Sequence, residues 1–282
     1  MTLIDIHAHV ITTDDRYPRA PIGGTSSQWS QRRQVTWEQL RAEMDVVGMA
    51  GAAVVQASTV YGYDNSYVVD CVAMSEGRVT GVAAVDFHSP DAPQAINRWT
   101  AAGASGLRLF VAGSTMPEDD LPRIDAPSTM PAWERAAELG MSVSIQLSVA
   151  ALPQVVAVAR LFPDVPLILD HAGRVDLSSG PPYTDAEAVY RLADCGSVHL
   201  KVTTRNFRDA ASSRGGASGM LSDLVSHFGA ERVAWGSNFP ASEGSLSALV
   251  DMLDEACAEL TREDALDVLG RTALSLYPIL GR

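Results

Sequence analysis

The chain is poor in cysteine and in positive charge, and it has no long apolar run. Its three cysteines, Cys71, Cys195 and Cys257, are far apart and show no C-x-x-C spacing. This usage argues against a disulfide framework or a zinc ribbon and predicts reduced thiols. No apolar run reaches the roughly 18 residues of a membrane span. The N-terminus carries Asp5 and lacks the apolar core of a signal peptide. We therefore expect a soluble, cytoplasmic protein.

Charge excludes further classes of function. The 282 residues contain 21 Lys and Arg against 34 Asp and Glu, which gives a net charge of -13. Such a chain repels the phosphate backbone of nucleic acids and the surface of anionic membranes unless positive charge is concentrated locally. We therefore expect neither a nucleic acid nor a membrane as partner. Hydrophobic residues make up 46% of the sequence, enough for a large core without staples. A small molecule is the expected partner, and the sequence does not indicate the oligomeric state.

Short apolar segments rich in β-branched residues alternate with segments of helical spacing. This alternation predicts βαβ units and a parallel sheet. Eight strands fit a (β/α)8 TIM barrel, for which about 250 residues is typical, and we predict one such domain over residues 1–282. A doubly wound open sheet is the alternative, weakened by the lack of G-x-G-x-x-G after the first strand. The predicted strands are 3–6, 52–57, 79–85, 105–110, 142–147, 167–169, 198–202 and 233–235.

The connections between these segments have a direction. Links from helix to strand are short, whereas the links 11–34, 111–129, 172–184 and 203–219, which follow strands, are long. In a parallel barrel these long loops lie on the C-terminal rim, where barrel enzymes place their active sites.

Histidines follow two of the predicted strands. His7 and His9 end the first strand, and residues two apart in a strand point to one face. Such a pair suits either a metal ion or proton transfer. His171 ends the sixth strand on the same rim, and Gly173 permits a turn that brings Arg174 over the mouth of the barrel. Asp170 is expected to point away from the centre, as a structural hydrogen-bonding group.

Other polar side chains belong to the same rim. Asn238, after the eighth strand, can orient a substrate or water, but an amide cannot accept a proton as a carboxylate does. Cations converging on one rim of an acidic protein predict a small anionic ligand, with Arg108 as the bidentate clamp. The predicted cationic group consists of Arg108, Arg174, Lys201 and Arg205, and the neutral group consists of Ser58, Asn65 and Gln146.

Together these motifs resemble the amidohydrolase superfamily, and in particular its branch with 2-pyrone-4,6-dicarboxylate lactonase and the sugar-acid lactonases. The matching segments are 5–9, 55–58, 106–110, 169–174, 200–203 and 235–240, in family order over nearly the whole chain. The resemblance implies a (β/α)8 barrel that hydrolyses a carboxylated lactone or related ring ester. By analogy, His7, His9 and His171 face the reacting carbonyl, and Arg108 holds a substrate carboxylate.

The sequence departs from the family pattern at two positions. Asn238 stands where the family carries the aspartate that activates water, so His171 or a metal-bound hydroxide has to be the base. Arg108-Leu109-Phe110 stands where binuclear relatives carry a bridging lysine, which argues against two metals. Members of this branch differ in metal content. The resemblance therefore leaves open one divalent ion, zinc or manganese, on His7, His9 and His171, or none.

These features predict a hydrolase that opens a small anionic lactone or ring amide. One alternative is a decarboxylase or lactone isomerase on the same barrel, where no water is activated. The other is a ligand-binding barrel without activity, since the usual aspartate is missing at Asn238.

Overall fold

Eight parallel strands form the centre of the protein in the computed structural model, which describes residues 2–113, 115–116 and 122–281. All eight strands predicted from the sequence are confirmed, with ends that differ by one or two residues. The strands are β1 (Ile4–Ala8), β2 (Gly51–Val55), β3 (Val79–Ala84), β4 (Ala104–Phe110), β5 (Ser142–Gln146), β6 (Leu167–Asp170), β7 (Val198–Thr203) and β8 (Val233–Gly236).

Helices connect and surround the strands. In chain order the α-helices of the described residues are α1 (Gln28–Arg32), α2 (Trp37–Val46), α3 (Ser58–Tyr61), α4 (Ser66–Met74), α5 (Ala92–Ala101), α6 (Met130–Glu138), α7 (Leu152–Leu161), α8 (Glu187–Tyr190), α9 (Thr204–Ala210), α10 (Gly216–Phe228), α11 (Leu246–Ala256), α12 (Arg262–Leu266) and α13 (Thr272–Leu276). None of these helices has the length and apolar character of a membrane span.

The strand order closes the sheet almost completely. Each strand pairs in parallel with the next, from β1 to β8. The backbone amide of His9 donates to the carbonyl of Phe239 over 2.8 Å, so the chain after β8 lies beside the end of β1. The arrangement is a nearly closed (β/α)8 barrel, and it excludes the open doubly wound sheet.

Two apolar layers hold the barrel. The larger one lies between the sheet and the helices, and it includes Leu107, Ile145 and Trp133. The smaller one lies on the other face of the sheet, where Ile4 and Ile168 pack with Tyr277 from the C-terminal segment. Because apolar side chains fill this part of the interior, the polar residues that end the strands are left for the opposite rim.

The loops hold more regular structure than the sequence predicts. Residues 203–219 are predicted as a long connection, but α9 and the first residues of α10 lie there. Helix α5 lies between β3 and β4 in the chain. Its Ile96 is buried and its Trp99 nearly so. The helix begins Ala92-Pro93, and proline in the first turn suits a helix start.

Candidate active site

A cavity of about 370 Å³ opens at the C-terminal ends of the strands. It gathers eight of the eleven residues that the sequence analysis singles out. Those eight are His9, Ser58, Arg108, Gln146, His171, Arg174, Arg205 and Asn238, and the wall is completed by Trp29, Ala57, Thr59, Phe110, Arg208, Asp209, Ala241 and Ser242.

His9 presents one ring nitrogen to this cavity in a defined protonation state. Its Nδ1 lies 2.7 Å from the carbonyl oxygen of Val55, and a carbonyl only accepts, so Nδ1 carries the proton. Trp29 stacks on the ring with centroids 5.4 Å apart. Burial, together with the positive charge of Arg108, lowers the pKa of His9 to about 3. The ring is therefore neutral at physiological pH, with Nε2 as a lone-pair acceptor.

His171 lies in a tight turn that follows β6. Its backbone φ is +57°, and Gly173 continues the left-handed turn at +68°, so that Arg174 reaches the cavity wall as predicted. Nδ1 of His171 lies 2.9 Å from Oγ1 of Thr203. Burial is the main cause that lowers the pKa of His171 to about 3. This imidazole is also neutral, and it is available as a base.

His7 lies between the other two imidazoles. Its ring centroid is 4.9 Å from that of His9 and 4.9 Å from that of His171. The side chain is fully buried, and its Nδ1 lies 3.5 Å from Oδ1 of Asp170. Burial, reinforced by the charge of Lys201, lowers its pKa well below the usual value. His7 is thus part of the histidine cluster but does not line the cavity.

Asp170 is inside the barrel, so the expectation that it points away from the centre is wrong. Its Oδ1 accepts from Nζ of Lys201 over 2.8 Å, and its Oδ2 accepts from Nε of Arg108 over 3.0 Å. Burial alone would raise the pKa of Asp170, but Lys201 and its other charged neighbours outweigh burial and hold it well below the usual value. Asp170 is thus the counter-ion of two buried cations, Lys201 and Arg108.

Two predicted substrate-binding residues make contacts away from the cavity. Lys201 is fully buried, and besides Asp170 it donates to Oγ of Ser144 over 2.9 Å. Asn65 donates to the carbonyl of Ala84 and accepts from its amide, which fixes the start of α4 against β3. Neither is brought to the cavity wall, and their roles as substrate-binding residues remain predictions.

The cavity wall is rich in arginine. The guanidinium of Arg108 is held by Asp170 and by Oε1 of Gln146. Arg205 lies 3.6 Å from Asp209 in an exposed pair, and Arg208 donates to the carbonyl of Glu243. With Arg174, four arginines and one carboxylate line the cavity. Such a wall favours anionic ligands in spite of the negative charge of the whole chain.

The turn that carries Asn238 is fixed to β1. Oγ of Ser237 donates to one oxygen of Asp5, and the backbone amide of Ser237 donates to the other over 2.9 Å. At Gly236 a side chain would not fit, because a Cβ there would lie 2.4 Å from Cβ of His7. Asn238 has a left-handed φ of +56°, which asparagine tolerates better than most residues. These contacts hold its amide at the cavity.

The histidines are of the right chemical kind for the divalent ion that the family resemblance leaves open, but their surroundings do not fit one. The neighbouring carboxylate of Asp170 already pairs with Lys201 and Arg108. A divalent cation would have to lie beside these two fixed charges without a free carboxylate ligand. Across residues 2–113, 115–116 and 122–281, no group of three His, Cys, Asp or Glu side chains has an arrangement that could hold a metal ion.

Sequence reasoning missed several residues at the cavity. Trp29, Arg208, Asp209 and Ser242 line it but are not among the predicted residues. Spacing gives no indication of Trp29, because it lies in α1, 20 residues after His9 and outside any strand-end motif. The sequence shows only that an aromatic residue follows the first strand, and it does not indicate that Trp29 stacks on His9.

The low histidine pKa values predict an acid-sensitive fold. Between about pH 6.5 and pH 3, His9 and His171 bind protons in the unfolded chain but not in the folded one. The free energy of unfolding should therefore fall as the pH is lowered, by up to about 1.4 kcal/mol per pH unit for each histidine. Urea unfolding across this range measures the slope. His171→Asn should show a shallower slope, and equal slopes in the two proteins would contradict the prediction.

Comparison with known proteins adds to this geometry. The family model described as amidohydrolase matches residues 4–279. L-fucono-1,5-lactonase from Burkholderia ambifaria is 26% identical over 233 residues, which cover 77% of this chain and 76% of that protein. The sequence match therefore extends over most of both chains.

Solved structures share the architecture. A protein described as a probable 2-pyrone-4,6-dicarboxylic acid hydrolase from Acinetobacter baumannii, with citric acid bound, superposes with a TM-score of 0.79 at 17% identity over 100% of both chains. A dihydroxybenzoic acid decarboxylase from Polaromonas sp. JS666, with manganese and 2-nitroresorcinol bound, gives 0.72 at 15% identity over 100% of this chain and 98% of the other. At these identities the two structures establish the fold alone.

Proposed function

Since this chain belongs to the amidohydrolase family and is a hydrolase, we propose that it opens a small anionic lactone, or a related ring amide, in the cavity at the end of the barrel strands. One observation carries the proposal: a neutral histidine base and several arginines line the same cavity. The lactonase relative supports a ring ester as the reacting group.

His171 is the proposed general base. Its Nε2 accepts a proton from water, and the oxygen of that water adds to the carbonyl carbon of the ring. The ring C–O bond then breaks, and the leaving oxygen takes the proton back from the imidazolium. The low pKa of His171 keeps the base unprotonated at neutral pH, although it also limits its proton affinity.

Arg108 and Asn238 are proposed to act on the same step. The developing negative charge on the carbonyl oxygen needs fixed positive charge, which the buried guanidinium of Arg108 supplies without reorganisation. Asn238 is proposed to orient the attacking water, because its amide oxygen accepts a hydrogen bond but takes no proton. Gln146, bonded to Arg108, keeps the guanidinium in place.

The remaining arginines are proposed to select the substrate. Arg174 and Arg205 lie on the cavity wall, where a ring carboxylate would meet them. A hydrogen bond to a charged group contributes about 1.5–3 kcal/mol, so removing the carboxylate from the substrate should lower kcat/KM by roughly ten- to a hundredfold. Pairs of lactones that differ only in a carboxylate or its methyl ester measure this effect.

A substrate panel tests the reaction class. The purified protein is mixed with sugar-acid lactones, carboxylated lactones, cyclic amides and carboxylated aromatic acids, and products are followed by proton release and by mass. We expect products that have gained one water. Carbon dioxide release would identify a decarboxylase instead, and a product of unchanged mass would identify an isomerase. Binding without turnover of any compound would leave a ligand-binding barrel.

We further propose that hydrolysis proceeds without a divalent ion, because the surroundings of the three histidines do not fit one. Dialysis against a chelator, with metal analysis before and after, should leave kcat/KM unchanged within about twofold. A stoichiometric metal whose removal abolishes activity, and whose return restores it, would overturn this part of the proposal.

A further inference from the structure

Two hydrogen-bond networks reach the cavity from adjacent residues at the junction of β7 and α9. Thr203 contacts His171, and Thr204 connects to Asn238 through Ser242. Thr203 and Thr204 are fully buried, where an unpaired donor is costly. The positions of the protons therefore follow from which groups can only donate and which can only accept.

In the first network, backbone groups fix the amide of Asn206. The backbone N–H of Thr203 donates to Oδ1 of Asn206 over 2.9 Å, and Nδ2 of Asn206 donates to the carbonyl of His171 over 3.0 Å. A backbone N–H only donates and a carbonyl only accepts, so this amide cannot be turned over without losing both bonds.

The fixed amide determines the tautomer of the histidine. Oγ1 of Thr203 lies 3.2 Å from Oδ1 of Asn206, and of these two oxygens only the hydroxyl has a proton to donate. With its proton directed to Oδ1 of Asn206, Oγ1 of Thr203 accepts from Nδ1 of His171, 2.9 Å away. His171 is therefore protonated on Nδ1. Its Nε2 has no hydrogen-bond partner among the described residues.

The second network orients the amide of Asn238 in the same way. Oγ1 of Thr204 donates its single proton to the carbonyl of Ser237 over 2.8 Å, so it can only accept from the hydroxyl of Ser242, 2.7 Å away. Oγ of Ser242 is then left as an acceptor for Nδ2 of Asn238 over 3.2 Å. The amide oxygen of Asn238 is the atom that remains for a ligand.

We infer that the β7–α9 junction is a positioning element, in which Thr203 with Asn206 sets the tautomer of His171 and Thr204 with Ser242 sets the orientation of the Asn238 amide. This inference deepens the proposed function, on which its kinetic part rests. None of these four residues is a catalytic residue, because each acts through His171 or Asn238. The junction thereby presents two hydrogen-bond acceptors, Nε2 of His171 and the amide oxygen of Asn238, to the same cavity.

Nuclear magnetic resonance of protein labelled with ¹⁵N-histidine tests the first network without any substrate. His171 is assigned from the signal that is lost in His171→Gln. We expect the Nδ1-protonated tautomer in the wild type and in Thr203→Ser. In Thr203→Val, which keeps the shape and removes the acceptor, we expect a substantial fraction of the other tautomer. An Nε2-protonated His171 in the wild type, or no change in Thr203→Val, would overturn this half of the inference.

A second test of the first network is kinetic, with the lactone of the panel that gives the highest kcat/KM. Outer partners that orient metal-ligating histidines are typically worth about ten- to a hundredfold in affinity or activity, and we expect a comparable factor for a histidine base. Thr203→Val should lower kcat by such a factor with little change in KM, and Thr203→Ser should recover most of it. If Thr203→Ser were as slow as Thr203→Val, the hydroxyl would not be the group that matters.

A double-variant comparison tests the second network. Ser242→Ala frees the Asn238 amide to turn over, so kcat/KM should fall by about tenfold, an outer-partner effect at the low end. In an Asn238→Asp background both side-chain oxygens are acceptors, so orientation no longer depends on Ser242, and the same change should cost less than about twofold. An equal cost in both backgrounds would show that Ser242 only supports the loop, which would overturn this half.

Failure of the inference and failure of the proposed function are distinguishable. If no lactone is hydrolysed, the histidine tautomer still tests the first network on the protein alone. If lactones are hydrolysed but the tautomer is the opposite one, the function stands and the positioning role falls.

Discussion

Replacing His171 by asparagine should lower kcat on the best lactone by about 10²- to 10⁴-fold, the range expected for loss of a general base. The variant removes the neutral Nε2 that we assign to proton transfer. Asn238 cannot replace it, because an amide takes no proton. The measurement is kcat and KM at a fixed pH, with folding checked by circular dichroism.

His227→Asn is the matched control for this variant. His227 lies on α10, is partly exposed and stacks on Tyr190, away from the cavity. The same chemical change there should leave kcat within about twofold, since surface substitutions usually have small effects. If His171→Asn retained more than a tenth of the wild-type kcat, the base would have to be assigned to another group, with His9 as the next candidate.

Asp170→Asn should lower the free energy of unfolding by about 3–5 kcal/mol, more than any other single substitution proposed above or below. The change leaves Lys201 and Arg108 buried without their counter-ion. A buried charge that loses its partner retains its desolvation penalty, which is why the effect is large. Urea unfolding monitored by tryptophan fluorescence measures it.

Two further variants make this expectation specific. Asp14→Asn removes a carboxylate from an exposed pair with Arg16, and it should cost less than about 1 kcal/mol. Asp170→Asn/Lys201→Met removes both members of a buried pair, and it should recover part of the lost stability. If Asp170→Asn cost no more than Asp14→Asn, or if the double variant were less stable than the single one, the counter-ion role of Asp170 would be wrong.

The sequence predicted the cavity better than the interior beneath it. His9, His171 and Arg174 could be placed because parallel strands end on one rim, so the order of motifs translates directly into position. The pairing of Asp170 with Lys201 and Arg108 could not be predicted from the sequence, because the three residues lie on three different strands that meet only in the folded barrel. Alternation along single strands does not tell which interior charges pair with each other.

Irregular backbone set a second limit to prediction. The pairing of β1 with β2 shifts register between Asp5 and Ala8, so simple alternation does not describe this strand. His7 lies inside the histidine cluster, while His9 lines the cavity. The contacts of Asn65 were not predicted, because they join it to Ala84, 19 residues further along the chain.

The arginine-lined mouth has a consequence for how fast a carboxylate arrives. At a distance, an anion meets the repulsion of a chain with net charge -13, and only near the mouth does it meet the attraction of Arg174 and Arg205. Salt screens over about 30 Å at 0.01 M but about 10 Å at 0.1 M, so moderate salt weakens the distant repulsion before the local attraction. The bimolecular encounter rate of an anionic substrate should therefore first rise and then fall with ionic strength, whereas a neutral lactone should show neither trend.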